Sequence, residues 1–273
     1  MSSRLGPRLR RSVRLALVAA LLGAGASACA DDPDPADAPQ PPTAEVTSLA
    51  DRCLSAYPDG VPVERVVLEG DGTDIVGAIV GDSPATTAVV LLPQIGPAGL
   101  CGWLPYAAVM ARAGITSLPM DPCGYGESAC DDVPIETQVE LAIDHLRDLG
   151  ADRVVLMGAS MGGSQTVRAV GAGAEVDSWV DLSGPSAWEG EWLLDVAGDV
   201  DEPGLVVRAR SDGDPGEFAR ARRLAERTGA TFVEAPSGHG WDMLLDVDRR
   251  PTRVGRAVLE FVCSGRPEAC NDR

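Results

Sequence analysis

From residue 60 onward, short apolar runs alternate with longer segments in which apolar residues recur at helical spacing. Eight apolar runs have the length of a strand, and they cover residues 63–68, 75–80, 88–92, 115–120, 153–158, 178–182, 205–209 and 231–235. The helical segments lie near residues 103–113, 134–149, 161–173, 215–229 and 250–262. Strands that alternate with helices of this length form a mostly parallel sheet with helices on both faces. The pattern therefore predicts an α/β fold, in which the first two strands form a hairpin around Gly70-Asp71-Gly72.

The first 29 residues differ from this pattern and are typical of an export signal. Five arginines between residues 4 and 14 precede an apolar run at 15–22, and small residues then lead to Cys29. A cysteine directly after such a run resembles a bacterial lipobox, in which Cys29 would be lipidated and would become the mature N-terminus. Ala26 stands where that pattern usually has leucine. Secretion without a lipid, with Cys29 retained, is therefore the alternative.

Residues 30–48 contain many Pro and Asp residues and almost no large apolar residue. A segment of this composition cannot bury enough apolar surface to fold, so it is predicted to act as an extended tether. The sequence thus divides into a signal at 1–29, a tether and N-terminal segment at 30–58, a domain at 59–264, and a tail at 265–273 that contains Cys270.

The composition of the chain limits its partners. Of the 273 residues, 45% are apolar, and no run reaches the roughly 18 consecutive apolar residues of a membrane span. The net charge is −18, although the first 28 residues carry five arginines and no acid. Such an acidic body repels nucleic acid and anionic lipid surfaces. We therefore expect no nucleic-acid partner and membrane contact only through a lipid on Cys29, while the oligomeric state is left open.

Seven cysteines in an exported chain indicate disulfides. If Cys29 is lipidated, six candidates remain, namely Cys53, Cys101, Cys123, Cys130, Cys263 and Cys270. Sequence spacing favours a bond between the last two and a bond between the middle two, and the first two then pair by elimination. Metal ligation is disfavoured because the chain has two histidines and no C-x-x-C pair. No metal or organic cofactor is predicted.

A short motif at the end of the predicted strand 153–158 carries the candidate chemistry. The sequence Gly158-Ala159-Ser160-Met161-Gly162 has the form G-x-S-x-G. If this segment turns sharply from strand to helix, it lifts the Ser160 hydroxyl out of the sheet for attack on a substrate. Glycine is needed on both sides because a Cβ there would collide with the neighbouring strand or helix. Ser160 is therefore the candidate nucleophile.

A serine hydroxyl needs a neighbouring base, which is usually an imidazole held by a carboxylate. Of the two histidines, His145 falls in the middle of a predicted helix and is interpreted as a helix-surface residue. His239 falls in a glycine-rich loop after the last predicted strand, where the active sites of open α/β sheets gather. The carboxylate should follow the strand at 205–209, and Asp212 is favoured over Asp214 because it lies closer to the strand end.

The transition state of acyl transfer carries an oxyanion, which two backbone N–H groups stabilise. Met161, directly after the candidate nucleophile, is expected to supply the first. The second should come from the loop after the strand at 88–92, which begins Pro93-Gln94-Ile95-Gly96. Because Pro93 has no N–H, Ile95 is the predicted donor and Gln94 is the alternative.

Across roughly residues 60–263 the chain resembles the α/β-hydrolase superfamily. The resemblance rests on three motifs: the turn around Ser160, the D-x-x-G-x-G-x-S sequence at 121–128, and the loop Gly238-His239-Gly240. Pro93-Gln94 stands where many members have His-Gly. The resemblance implies the α/β-hydrolase fold, a mostly parallel eight-stranded sheet flanked by helices. Many members carry a lid between the sixth and seventh strands, but residues 184–203 leave room only for a minimal one.

The resemblance also implies a function. The order Ser160, Asp212, His239 is the order of the catalytic triad in this superfamily. It implies a serine hydrolase that cleaves an ester or related acyl bond through an acyl-enzyme, and therefore a small-molecule acyl substrate. Two alternatives stay open. The same three residues would serve an acyltransferase or a perhydrolase, and a non-catalytic envelope lipoprotein could keep the fold as a binding scaffold.

Overall fold

The computed structural model of the chain describes residues 48–70, 72–82 and 85–264. The predicted export signal, the candidate lipidation site Cys29, most of the predicted tether, and the tail with Cys270 lie outside the described residues. Within the described ranges, no helix is long and apolar enough to cross a membrane.

A central sheet contains eight long strands, which are β1 Val63–Gly70, β2 Thr73–Val80, β3 Thr87–Leu92, β4 Thr116–Pro119, β5 Arg153–Ala159, β6 Ser178–Leu182, β7 Gly204–Ala209 and β8 Thr231–Ala235. Their order across the sheet is β1-β2-β4-β3-β5-β6-β7-β8. Strand β2 is antiparallel to both β1 and β4, and the other neighbours are parallel. The predicted hairpin and mostly parallel eight-stranded sheet are thus confirmed. A ninth strand, Ala129–Cys130, pairs with Thr73 and Asp74, and two residues are too few to give a sequence pattern.

The described residues form seven α-helices, which are α1 Leu49–Cys53, α2 Leu104–Arg112, α3 Ile135–Asp148, α4 Met161–Gly171, α5 Leu193–Val196, α6 Pro215–Thr228 and α7 Arg253–Cys263. The five predicted helices correspond to α2, α3, α4, α6 and α7, with bounds that differ by a few residues. Helix α6 shows why the bounds follow from the sequence. Asp214 caps its first turn, Pro215 occupies its first position, and Gly229 ends it with a φ of 69°.

Helices cover both faces of the sheet. Alternate residues of a strand point to opposite faces and so belong to two different cores. On one side, Val89 and Leu91 of β3 belong to a core that includes residues of α2 and α7. On the other side, Val90 and Leu92 belong to a core that includes residues of α3, α4 and α6. Burial on both faces explains why the parallel strands are continuous apolar runs and do not alternate with polar residues. The sheet is therefore the middle of three layers.

Two of the three predicted disulfides are present, Cys53–Cys101 and Cys123–Cys130. Cys263 is also disulfide-bonded, and its predicted partner Cys270 lies outside the described residues. Disulfides form and persist in oxidising compartments and are rare in the reducing cytosol. These bonds therefore indicate an extracellular or periplasmic protein.

Helix α1 lies before residue 59, where the predicted domain begins, and it packs into the core through Leu49 and Cys53. Its Arg52 guanidinium lies 2.6 Å from the carboxylate of Asp121, which is fully buried just after β4. Asp121 also accepts a hydrogen bond of 2.7 Å from the N–H of Leu100. Burial raises the pKa of Asp121, while the Leu100 N–H and the Arg52 charge act in the opposite direction. Arg52 therefore compensates a buried acid that joins the loops after β3 and β4.

We expect Arg52→Met to lower the free energy of unfolding by about 3–5 kcal/mol, because it leaves the buried Asp121 carboxylate without its counter-ion. Arg65→Met is the matched control. Arg65 pairs with Glu127 at 2.8 Å, but these side chains are 28% and 30% exposed, and an exposed pair contributes at most about 1 kcal/mol. Urea unfolding with the disulfides intact measures both variants. Equal losses would contradict the role assigned to Arg52.

Candidate active site

Ser160 lies between the end of β5 at Ala159 and the start of α4 at Met161. Its φ of 50° and ψ of −117° fall outside the regions that L-residues favour, at a cost on the order of 1–3 kcal/mol. The Ser160 N–H donates to the Leu182 carbonyl at 2.8 Å, and the Ser160 carbonyl accepts from the Gly163 N–H at 2.8 Å. These two bonds hold the strained turn. Only 7% of Ser160 is exposed, so it lies among neighbouring loops and not on an open surface.

Three glycines permit this turn, because a Cβ at any of them would overlap a neighbour. At Gly158 the Cβ would meet the carbonyl of Gly162, and at Gly162 it would meet the carbonyl of Leu92 on β3. At Gly163 it would meet the carboxylate of Asp181 on β6. Helix α4 therefore approaches the sheet more closely than side chains would allow, which is the packing that a G-x-S-x-G sequence provides.

The loop after β7 brings Asp212 to His239. Asp212 Oδ1 lies 2.7 Å from His239 Nδ1, and the Asp212 side chain is 7% exposed, compared with 42% for His239. Asp214, the alternative carboxylate, caps α6 by accepting the N–H of Gly216 at 2.6 Å. Of the two candidates, Asp212 is the one that contacts the imidazole. The other histidine, His145, lies in α3.

The loop after β8 brings His239 beside the turn that carries Ser160. Gly240 has a φ of 53° and lies so close to this turn that an added Cβ would be 3.2 Å from the Cβ of Ala159. Because Asp212 contacts Nδ1, the Nε2 atom of His239 is the one that can serve another group. In the part of the chain that the structure describes, no hydrogen bond joins the Ser160 hydroxyl to this ring. Such bonds often tighten only when a substrate binds.

The predicted oxyanion donors lie on either side of one backbone contact. Met161 begins α4, and no hydrogen bond within the described ranges occupies its N–H. The loop after β3 is held against the same helix, because the Gly162 N–H donates to the Pro93 carbonyl at 3.1 Å. Gln94 and Ile95 follow directly, and Ile95 is 61% exposed. Met161 thus directly precedes one residue of this contact, and Ile95 lies two residues after the other.

Neither a protein-family model nor a curated protein matches the chain. Solved structures do match it. The Pyrococcus furiosus esterase Pf2001 is 13% identical, with a TM-score of 0.61 over 75% of this chain and 90% of that one. The carboxylesterase CesB (YbfK) from Bacillus subtilis is 17% identical, with a TM-score of 0.61 over 79% of this chain and 96% of that one. Est1E from Butyrivibrio proteoclasticus, solved with ferulic acid bound, is 15% identical, with a TM-score of 0.57 over 75% and 98%. The chain has the α/β-hydrolase fold.

In this α/β-hydrolase fold, the segment after β6 is short. It consists of a hairpin, in which Ala187–Trp188 pairs with Glu191–Trp192, and of helix α5. Arg168 of α4 fastens the hairpin by pairing with Glu189 at 2.9 Å and with Glu191 at 2.6 Å. The predicted minimal lid is thus confirmed.

Two buried charged residues of the α/β-hydrolase fold were not identified from the sequence. Asp181 lies within β6 and Arg208 within β7, with exposed fractions of 1% and 4%. The N–H of Gly184 donates to Asp181 at 2.7 Å, and burial raises the pKa of Asp181 to about 6. A signal was present, because each is the single charged residue of a mostly apolar strand. A charge inside a buried strand requires a compensating partner.

The raised pKa of Asp181 makes its effect on stability depend on pH. Below about pH 4 the carboxyl is protonated in both the folded and the unfolded chain and has no effect. Between about pH 4 and pH 6 the unfolded chain releases this proton while the folded chain retains it, so the folded state loses up to roughly 3 kcal/mol.

We therefore expect Asp181→Asn to become progressively more stable than the native protein as pH rises through this window. Asn keeps an oxygen that can accept the Gly184 N–H but carries no charge at any pH. Urea unfolding at intervals between pH 4 and pH 8 measures the difference. A difference that stays constant over this range would contradict the assignment.

Proposed function

We propose that this protein is an exported serine hydrolase that cleaves an ester or a related acyl bond. The observation that carries the proposal is the 2.7 Å contact between His239 Nδ1 and Asp212 Oδ1, in a loop that packs against the Ser160 turn. A serine, a carboxylate and an imidazole in this chain order are the parts of a nucleophilic acyl-transfer site on such a sheet. Similar folds in an esterase and a carboxylesterase support the choice of ester substrates.

In the proposed mechanism, the Ser160 hydroxyl oxygen attacks the substrate carbonyl carbon, and Nε2 of His239 accepts the hydroxyl proton. Asp212 stays ionised, fixes the tautomer that carries a proton on Nδ1, and stabilises the imidazolium. The tetrahedral intermediate collapses when His239 gives the proton to the leaving group, which leaves an acyl group on Ser160. Water then attacks this ester with His239 as base, and the acid departs as Ser160 regains its proton.

The oxyanion of each tetrahedral intermediate is stabilised in this proposal by the N–H groups of Met161 and Ile95. The Pro93 carbonyl accepts from Gly162, and in a trans peptide the N–H of the next residue points the opposite way. The Gln94 N–H is therefore directed away from α4, which favours Ile95 over Gln94. Each such donor typically contributes about 10²–10³ in kcat. Because the donors belong to the backbone, the replacement of His-Gly by Pro93-Gln94 does not remove them.

The proposal places the enzyme outside the cytoplasm. The Cys53–Cys101 and Cys123–Cys130 bonds favour an oxidising compartment, and the sequence before residue 30 is typical of an export signal. Lipidation of Cys29 would anchor the domain at the cell envelope, and it stays a prediction.

The proposal is tested by labelling with a fluorophosphonate, which reacts with activated serines. We expect the native protein to be labelled and Ser160→Ala to be unlabelled, with kcat on p-nitrophenyl esters reduced on the order of 10⁶-fold. Ser211→Ala is the control, because Ser211 is an exposed serine in the loop that carries Asp212. With a competing alcohol present, the free acid is the expected main product, and a product ester would favour an acyltransferase. A native protein that is not labelled would favour a non-catalytic scaffold.

Substitutions of Asp212 and Asp214 distinguish the proposed catalytic carboxylate from the one that caps α6. We expect Asp212→Asn to lower kcat about 10⁴-fold, because an amide favours the wrong tautomer of His239. Asp214→Asn should keep kcat within about twofold of the native value, because Asn caps a helix as well as Asp does. Steady-state kinetics at pH 8 measures both. Equal losses would remove Asp212 from the proposed triad.

A further inference from the structure

The buried Arg208 guanidinium is not used in the mechanism above, and a buried charge requires compensation. Its contacts are specific. Nη1 donates to the carbonyl oxygens of Ser183 at 3.0 Å and Gly184 at 2.9 Å, and Nη2 donates to the carbonyl oxygen of Asp212 at 3.2 Å. Arg208 therefore joins the segment after β6 to the loop that carries the carboxylate of the proposed triad.

Arg208 also faces the Asp212 side chain. Its Nε lies 3.4 Å from Asp212 Oδ2, which is the oxygen that does not contact His239. The arginine thus approaches one carboxylate oxygen while the imidazole takes the other. At 3.4 Å this contact is an ion pair without a hydrogen bond, and its attraction favours the rotation that directs the other Asp212 oxygen to His239. A misplacement of about 1 Å in a catalytic group can cost on the order of 100-fold in rate.

The segment that Arg208 holds is the one that holds the nucleophile. The carbonyl of Leu182 accepts the Ser160 N–H at 2.8 Å, and the N–H of the next residue, Ser183, donates to Val207 at 2.9 Å. Arg208 then binds the carbonyls of Ser183 and Gly184. Three consecutive residues therefore connect Ser160 to Arg208, and Arg208 connects them to Asp212.

The charges around Arg208 come from three elements. Asp212 lies on the loop after β7, Asp181 on β6, and Glu217 on α6, where its Oε2 is 3.9 Å from Arg208 Nη1. Glu217 has a second cation, because Arg220 lies 2.7 Å from its other oxygen. Arg208 is thus the cation beside Asp212 and Asp181, while Glu217 also pairs with Arg220.

We propose that Arg208 is a positioning residue of this site, which clamps the Asp212 loop to the segment that holds Ser160 and orients the Asp212 carboxylate toward His239. The proposal rests on the proposed function for its kinetic consequences. Its geometric consequence, the state of the contact between His239 and Asp212, does not depend on turnover.

Loss of the cation has a defined electrostatic effect. Without Arg208 the negative charge of Asp212, which contacts the imidazole, loses its buried counter-ion. The more negative potential at the imidazole favours its protonated form. A general base that is protonated cannot accept the serine proton, so activity is lost at a higher pH than in the native protein. A residue that only supports the fold would lower stability without moving this limb of the pH profile.

The test compares Arg208→Met, Arg208→Lys and the control Arg210→Met. Arg210 lies two residues away, but its side chain is 64% exposed and pairs with Glu234 at 2.7 Å. We expect Arg208→Met to lower kcat roughly 10- to 100-fold with little change in KM, and to move the acidic limb of kcat/KM upward by about one pH unit. Arg208→Lys keeps the positive charge, so the acidic limb of its kcat/KM profile should lie at the native pH. Its kcat should stay below the native value, because an ammonium lacks the planar fork that binds several carbonyls. Arg210→Met should match the native protein.

The second readout is the Nδ1 proton of His239 in a proton NMR spectrum, which is assigned by comparison with His145→Gln because the chain has only two histidines. We expect a downfield resonance in the native protein and in Arg210→Met, and its loss or broadening in Arg208→Met.

If native labelling and turnover are absent, the proposed function fails, and this resonance still tests Arg208. If Arg208→Met does not fold, Arg208→Lys decides through kcat. An unshifted pH profile with an unchanged resonance in folded Arg208→Met, or native kcat in Arg208→Lys, would overturn the proposal.

Discussion

The close backbone contact between α4 and the sheet is the constraint on which this site depends. Gly162 lies against the carbonyl of Leu92 on β3, and Gly158 lies against Gly162 itself. This approach requires a φ of 50° at Ser160, an unfavourable conformation that the surrounding structure must hold. The bond from the Ser160 N–H to Leu182 is part of that support. A bulkier residue at any of these glycines would push the helix outward and move Ser160 away from the His239 loop.

Arginine carries the buried positive charge in this protein, because the chain contains no lysine. Arg52 compensates Asp121, Arg168 fastens the hairpin of the lid, and Arg208 joins two loops at the site. A guanidinium presents several donors in a fixed plane, so one side chain can satisfy partners from two or three elements. In a chain with a net charge of −18, Arg52 and Arg208 each place a positive charge beside a buried acid, Asp121 and Asp212.

The sequence predicted the elements well where their physics is local. The strands of a sheet with helices on both faces are continuous apolar runs. The start of α6 is marked in the sequence by Asp214 and Pro215. The same capping signal explains why Asp214 and Asp212 have different roles. Asp214 lies directly before a helix that begins with proline, so its carboxylate caps that helix. The Asp212 carboxylate is not part of the cap and contacts His239. The packing of α1 against the core could not be predicted from the hydrophobic pattern, because a helix of five residues is too short to show a periodicity. The partners of Arg208 could not be predicted from it either, because they are carbonyl oxygens of residues distant in sequence.

Three departures from local rules lie close to Ser160. The strained Ser160 backbone, the Asp181 carboxyl with its raised pKa and the buried Arg208 all lie on β5, β6 and β7 or at their ends. Apolar residues of similar size at the two charged positions would pack without the cost of desolvating charges, so their presence gives up stability. This arrangement places a charge beside one oxygen of Asp212, because hydrogen bonds to three carbonyl oxygens fix the Arg208 guanidinium, and apolar packing has no charge to place there. A site that depends on the rotation of one carboxylate therefore has a physical reason to keep a charge inside its central strands.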